Sequence, residues 1–222
     1  MKQVFSGEAY EILPLPNGII FSYCKDIIDQ NVVVAFKMLS FETGRFTDIA
    51  KNIYLLTKFG NNYKSVIENC ENYITVRSIL LPNSKVFLLS PDGEAQLIDT
   101  DGTPIWKGIL SYRGFTASDI VLYKNSLWTC YSDSNVMVRY NLATMREELR
   151  IGGNKSPFNQ PKSLFVEDNC VTVSNQGSKK LTSLNLDTYA VSDCEEFEEP
   201  LKQYIKADKY RFVLLDSGIY ML

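Results

Sequence analysis

The sequence predicts an all-β fold: a five-bladed β-propeller of four-stranded antiparallel blades. Three observations predict it. Apolar or aromatic pairs recur seven and six residues before five anchor positions, Ile19, Val86, Leu127, Val171 and Arg211, spaced 67, 41, 44 and 40 residues apart. A polar or glycine-bearing turn stands directly before each anchor, and a threonine marks the turn after the third strand at Thr43, Thr100, Thr144 and Thr188. Short strands joined by tight polar turns, repeating about every 40 residues, make the blades of a propeller.

The period is clearest at Pro161–Val191. Strands are expected at Lys162–Val166, Val171–Ser174 and Leu181–Leu186, with a fourth near Tyr189–Cys194. The apolar pairs that lead each blade are Ile12-Leu13, Ile79-Leu80, Ile120-Val121, Leu164-Phe165 and Tyr204-Ile205. They predict inner strands buried on both sides by neighbouring blades. The turns that follow are Pro16-Asn17-Gly18, Asn83-Ser84-Lys85, Lys124-Asn125-Ser126, Asp168-Asn169-Cys170 and Asp208-Lys209-Tyr210. Asn, Asp and Gly tolerate the positive φ of tight hairpins. Asp92-Gly93, Asp133-Ser134-Asn135 and Asp216-Ser217-Gly218 read as turns for the same reason.

The first blade breaks the period. Its second hairpin, Cys24–Asn31, is long, and an insertion is expected around 60–72, between Phe59 and Tyr73. Lys64–Glu71 within it reads as a short helix or a loop, and its role as binding specificity or surface decoration. Hidden strands there would raise the count to six blades. At the other end, Arg211–Leu215 and Ile219–Leu222 supply too little for a complete last blade. Lys2–Gly7 precedes the first inner strand, Tyr10–Leu13, where Pro104–Leu110 and Glu147–Gly152 act as fourth strands. It is therefore expected to pair with the last blade, closing the ring and removing an open edge.

Composition bounds the function. The 222 residues, 45% hydrophobic and 22% charged, suit one domain spanning 1–222, and 12% aromatics favour strands. A net charge of −3 gives no electrostatic footprint for nucleic acid or an anionic membrane. No run approaches the ~18 apolar residues of a membrane span. Val32–Phe36 is the longest apolar run and fits a buried strand, and the start of the chain lacks the apolar run of a secretory leader. Five cysteines (Cys24, Cys70, Cys130, Cys170, Cys194), never as C-x-x-C, point to free thiols in the cytoplasm rather than disulfides or zinc. The chain has no histidine, which removes Ser-His-Asp, Cys-His and His-ligated metal chemistry together. No cofactor or metal is expected.

Ile151–Asp168, IGGNKSPFNQPKSLFVED, resembles NHL-type propeller repeats, with Gly152, Gly153, Phe158 and Pro161 in the places of the glycines and the Phe-x-x-Pro. Leu127–Thr144 is similar to the continuation of such a repeat. The other blades lack Phe-x-x-Pro, and NHL rings usually have six blades. The resemblance implies a propeller, and it leaves function open, because that family includes enzymes, protein-binding and RNA-binding members.

Candidate site residues follow from the alignment of blades. Eight residues before the anchors stand Glu11, Ser78, Asp119, Ser163 and Gln203; nine before stand Tyr10, Arg77, Ser118, Lys162 and Lys202. Superposed blades make these two stacked rings at the channel mouth. A ligand site there would use Glu11, Arg77, Asp119, Lys162 and Lys202, the cations pairing a carboxylate or phosphate of a small anionic or sugar-like ligand. The plain alternative is solvated strand starts lining a wet pore. Alternation along the strand would aim neighbouring residues into opposite seams and dissolve one ring.

An arabinanase-like glycosidase would use Glu11 and Asp119. A gluconolactonase-like metal site would need those two with Asn175. Glu195–Glu199 reads as a solvated face or inter-blade loop rather than a site for a basic partner, and Trp106 and Trp128 as core. The expected function is a non-enzymatic binding module for a protein or small ligand. A carboxylate-dependent hydrolase at the channel mouth is the alternative.

Overall fold

The computed structural model describes residues 1–68, 73–81 and 84–222. The expectations for Cys70, for the end of Lys64–Glu71 and for Asn83 lie outside the described residues. After β1 (Lys2–Ser6), the first blade holds β2 (Ala9–Leu15), β3 (Gly18–Ile28), β4 (Asn31–Ser40) and β5 (Phe46–Asp48). Helices α1 (Lys51–Phe59) and α2 (Tyr63–Glu68) follow. The second blade is β6 (Arg77–Leu80), β7 (Val86–Leu89), β8 (Glu94–Ile98) and β9 (Pro104–Ile109), trailed by a small hairpin, β10 (Ser111–Tyr112) and β11 (Phe115–Thr116). The third is β12 (Asp119–Tyr123), β13 (Ser126–Tyr131), β14 (Val136–Asn141) and β15 (Glu147–Gly152); the fourth is β16 (Pro161–Glu167), β17 (Cys170–Asn175), β18 (Lys180–Asn185) and β19 (Val191–Glu196). The last is β20 (Gln203–Ala207), β21 (Tyr210–Leu215) and β22 (Gly218–Met221).

β1 supplies the fourth strand of the last blade, in the sheet order β1-β22-β21-β20, so the described residues form five four-stranded blades in a closed ring. The closing pairs run from Lys2↔Met221 to Ser6↔Gly218. Gly218 sits at φ +145, and a Cβ there would lie 2.1 Å from the carbonyl oxygen of Phe5, so closure depends on a bare α-carbon. Phe5 and Phe21, 4.8 Å apart between ring centroids, fill the seam where chain start and chain end meet.

Both sequence markers have a structural cause. In the last three blades the first hairpins are two-residue turns, with Lys124, Asp168 and Asp208 at φ +54, +51 and +54. The threonine turns are held by a side-chain acceptor upstream. Asn141 Oδ1 accepts from the amides of Ala143 and Thr144, and Asn185 Oδ1 from those of Asp187 and Thr188. The residue after each asparagine then donates to the first hairpin, Leu142 N to Asn125 O at 3.0 Å and Leu186 N to Asn169 O at 2.9 Å. The markers keep step because they are hydrogen-bonded to each other.

Three expectations need correction. The inner strands are not buried on both sides: Leu13, Val121 and Phe165 are half-buried and Leu80 is 49% exposed. Five blades meeting at a ring leave a channel, and these side chains line one end of it. The Val32–Phe36 run is a strand, but its first residues project beyond the blade and Val32 is exposed. The insertion begins at Lys51, ahead of Phe59, and stands between the first and second blades.

The Cys24–Asn31 hairpin is paired strand up to a turn at Asp29-Gln30, both at positive φ. Of the tryptophans, Trp128 is buried and Trp106 is half-buried, stacked 6.0 Å from Phe87. Phe197 of the acidic run is buried beneath an otherwise solvated strand.

Candidate functional site

The channel is divided by a layer of charged side chains. α1 places Tyr54, Leu55, Lys58 and Phe59 on one face, and all four are buried. That spacing is the inward stripe of a helix, and the helix stops at Gly60, φ +67. Lys58 therefore enters the interior on an apolar stripe. It is 2% exposed, with Nζ 2.6 Å from Glu11 Oε2 and 3.1 Å from the carbonyl of Ile74. Glu11, 4% exposed, also accepts from the Tyr54 hydroxyl at 2.5 Å and from Arg77 at 3.0 Å. On its far side, Arg77 Nε lies 3.7 Å from Asp119.

Two cations and two carboxylates balance within this cluster, which a low-dielectric interior requires. Burial pushes the Glu11 carboxyl up, but Lys58 and Arg77 together outweigh it and hold Glu11 below the usual range. For Asp119 burial wins over Arg77 and the two amides below, and its carboxyl is raised. Burial likewise lowers the Lys58 ammonium despite Glu11 beside it.

The eight-before positions also stitch blades together where no backbone ladder exists. Asp119 Oδ2 accepts from the Leu164 amide of the next blade at 2.8 Å, and Oδ1 from its neighbour Ile120 at 2.9 Å. Gln203 closes a two-bond bridge to the backbone of Ile12, accepting at 2.8 Å and donating at 2.9 Å. Glu11, Asp119, Ser163 and Gln203 are buried, so they are not solvated strand starts. Their neutral and charged ends replace hydrogen bonds the blades cannot make.

The nine-before ring lies on the other side of the charged layer. Tyr10, Arg77, Ser118 and Lys162 line one recess of about 510 Å³, with Thr75, Thr116, Ser132, Asp133, Gln160 and Gln176. Lys162 forms no ion pair among the described residues. Lys202 departs from the ring: it precedes β20, and its Nζ turns to Asp216 at 2.9 Å. On the opposite side, Leu13, Leu80, Val121, Phe165 and Ile205 form an apolar funnel of about 380 Å³ beneath Glu11, Arg77 and Asp119.

Of the five expected site residues, Glu11, Arg77 and Asp119 are thus in one cluster, Lys162 is in the adjoining recess and Lys202 is elsewhere. The lactonase-like set does not assemble. The Asn175 amide is spent on Thr182 Oγ1 and the amide of Asn159, within its own blade and the loop before it. Sequence reading missed Lys58 and Tyr54. The available signal was a lysine four residues after Tyr54, on the apolar face of KNIYLLTKF.

No protein-family model and no curated protein sequence matches the chain. Solved structures share the fold. Streptogramin B lyase is 9% identical, with a TM-score of 0.52 over 98% of this chain and 69% of its own. Virginiamycin B lyase from Staphylococcus aureus is also 9% identical, with a TM-score of 0.51 over 100% of this chain and 72% of its own. A protein of unknown function from Bacteroides caccae is 13% identical, with a TM-score of 0.53 over 94% and 70%. Identities this low speak for the propeller alone. The NHL likeness has no family match behind it.

Proposed function

We propose that the protein is a non-enzymatic binding module of the cytoplasm that takes a small anionic, hydroxyl-bearing ligand in the recess lined by Tyr10, Ser118, Lys162 and Gln176. One observation carries this reading. The channel carboxylates are committed to Lys58, Arg77 and backbone amides, whereas Lys162 faces the recess with no ion-pair partner among the described residues. The recess sets two cations, Lys162 and Arg77, against one carboxylate, Asp133, among hydroxyls and amides, which suits a carboxylate or phosphate carried on a sugar-sized body. The free thiols of Cys24, Cys130, Cys170 and Cys194 support a reducing compartment.

The hydrolase reading has one observation in its favour, the raised carboxyl of Asp119, a property of general acids. Both of its oxygens already accept backbone amides, which leaves it poorly placed to protonate a leaving group.

The experiment is titration calorimetry with a neutral hexose, the matching uronic acid, the sugar phosphate and inorganic phosphate, together with product analysis of each mixture. Binding of an anionic sugar without bond cleavage, abolished by Lys162→Glu, is expected. Turnover of a glycoside or lactone that Asp119→Asn abolishes would establish the hydrolase instead.

A further inference from the structure

The two central strands of the first blade run on past the blade. β2 flanks β3 only as far as Ala9↔Tyr23, and β5 flanks β4 only from Phe36 onward. Beyond those points Asp26–Ile28 and Asn31–Val33 pair only with each other among the described residues. Among the described residues no strand pairs with the outer edge of β4 from Asn31 to Ala35, although the Val34 side chain packs on the cluster that holds Tyr54, Leu55 and Phe59 of α1.

The direction of its hydrogen-bonding groups follows from the bonds further along. The Phe36 carbonyl accepts from Ile49, and the Ser40 amide donates to Arg45, so even-numbered residues of β4 aim their backbone away from β3. The bulge between Cys24 and Asp26 adds its extra residue to β3, which leaves the alternation along β4 unbroken. Val32 and Val34 thus present their N–H and C=O groups outward. Apolar surface accompanies them: Ile27, 62% exposed, and Val32, 49% exposed, are a cross-strand pair.

The other outer strands are guarded by charge or proline. β1 carries Lys2; β5 has only three residues and ends on Asp48; β9 opens on Pro104 and carries Lys107; β15 has Glu147, Glu148 and Arg150; β19 has Asp193, Glu195 and Glu196. Such residues keep sheet edges from pairing with other chains. Asn31–Phe36 contains neither charge nor proline.

We propose that this edge pairs with the same edge of a second copy, as antiparallel strands with Val33 opposite Val33 across a two-fold axis. The stretch is self-complementary in that register. Val32 of each copy faces Val34 of the other, and each pair exchanges two N–H···O=C bonds, so every free group on the edge is used once. A one-residue shift would set outward groups against inward ones. A two-residue shift toward Phe36 would drive the partner strand into Ile49, and the opposite shift would forfeit half the bonds. No charged side chain faces its own copy, and Ile27 and Val32 of both copies come onto one continuous apolar face. The pairing makes no use of the channel and is independent of the ligand reading.

Sedimentation velocity of the whole chain over about two decades of concentration tests it, with amide hydrogen exchange as a second readout. Reversible dimerisation is expected, with the Val32 and Val34 amides slowing as dimer forms. Val32→Pro removes an outward N–H without touching the β3–β4 ladder and is expected to raise the dissociation constant by about tenfold or more. Val32→Lys is expected to weaken the dimer as well, while Ile109→Lys, at an exposed apolar position of the guarded strand β9, leaves it intact. A strict monomer at every concentration overturns the proposal, including one whose edge takes up an unrelated extended peptide. So does a dimer that well-folded Val32→Pro and Val32→Lys variants leave unchanged.

Discussion

Lys58, on a helix that belongs to no blade, places its ammonium 2.6 Å from Glu11, on the first inner strand of the ring. Two parts of the chain with no repeat relationship thereby share one buried charge pair. Removing Lys58 leaves Arg77 alone to serve both Glu11 and Asp119, one buried carboxylate in excess, and breaking a buried pair in this way typically costs about 3–5 kcal/mol. Lys58→Met is expected to destabilise the fold by about that much, and adding Glu11→Gln to recover part of it. Urea unfolding of both single variants and the double variant measures the coupling.

The same cluster sets the acid response. Glu11 is held below its ordinary value of 4.5, so its contribution is full above that pH and disappears as pH falls through the lower folded value. Asp119 has the opposite sign: raised above its ordinary 3.8, it costs stability as pH rises through the window between 3.8 and its folded value. Urea midpoints measured from about pH 3 to about pH 6 should therefore show a shallower acid limb for Glu11→Gln than for the wild type. The limb of Asp119→Asn should be steeper than that of the wild type.

Ring closure rests on Gly218. Gly218→Ala places a methyl group against the Phe5 carbonyl at a φ that L residues avoid, and is expected to cost about 1–3 kcal/mol in backbone strain alone. Faster amide exchange along β1, with β12–β15 unaffected, would mark the seam as the part that opens. Equal loosening of every blade would contradict closure by β1.

The threonine turns predict a graded response. Asn185→Ala removes an acceptor for two backbone amides and the Thr188 hydroxyl, and is expected to cost about 1 kcal/mol. Thr188→Val, which removes the hydroxyl's bond to Asn185 and a 3.3 Å bond from the Ala190 amide but leaves both amides on Asn185, should cost less. Thermal melts of the two variants rank them.

Much of the architecture was legible because a propeller repeats short-range chemistry. Positive-φ residues such as Asp168, polar turns and apolar inner pairs are set by neighbours close in the chain, and the blades inherit their period. The closing role of Lys2–Gly7 was legible too, from the strand that the last blade lacked. The insertion was not, because Lys51–Phe59 obeys no blade period and reads locally as one more amphipathic stretch.

The chain order alone determined the fold class, the five-blade count and the polar identity of the channel positions, since those depend on local propensity and spacing. Whether a channel residue is solvated, paired or buried was decided only in three dimensions. Lys58 and Glu11 are 47 residues apart in sequence, and no local rule brings an ammonium to that carboxylate. The physical reason is that an ion's worth inside a protein depends on which opposite charge the tertiary structure sets beside it and how much water that excludes. The same packing that neutralised Glu11 left Lys162 facing an open recess.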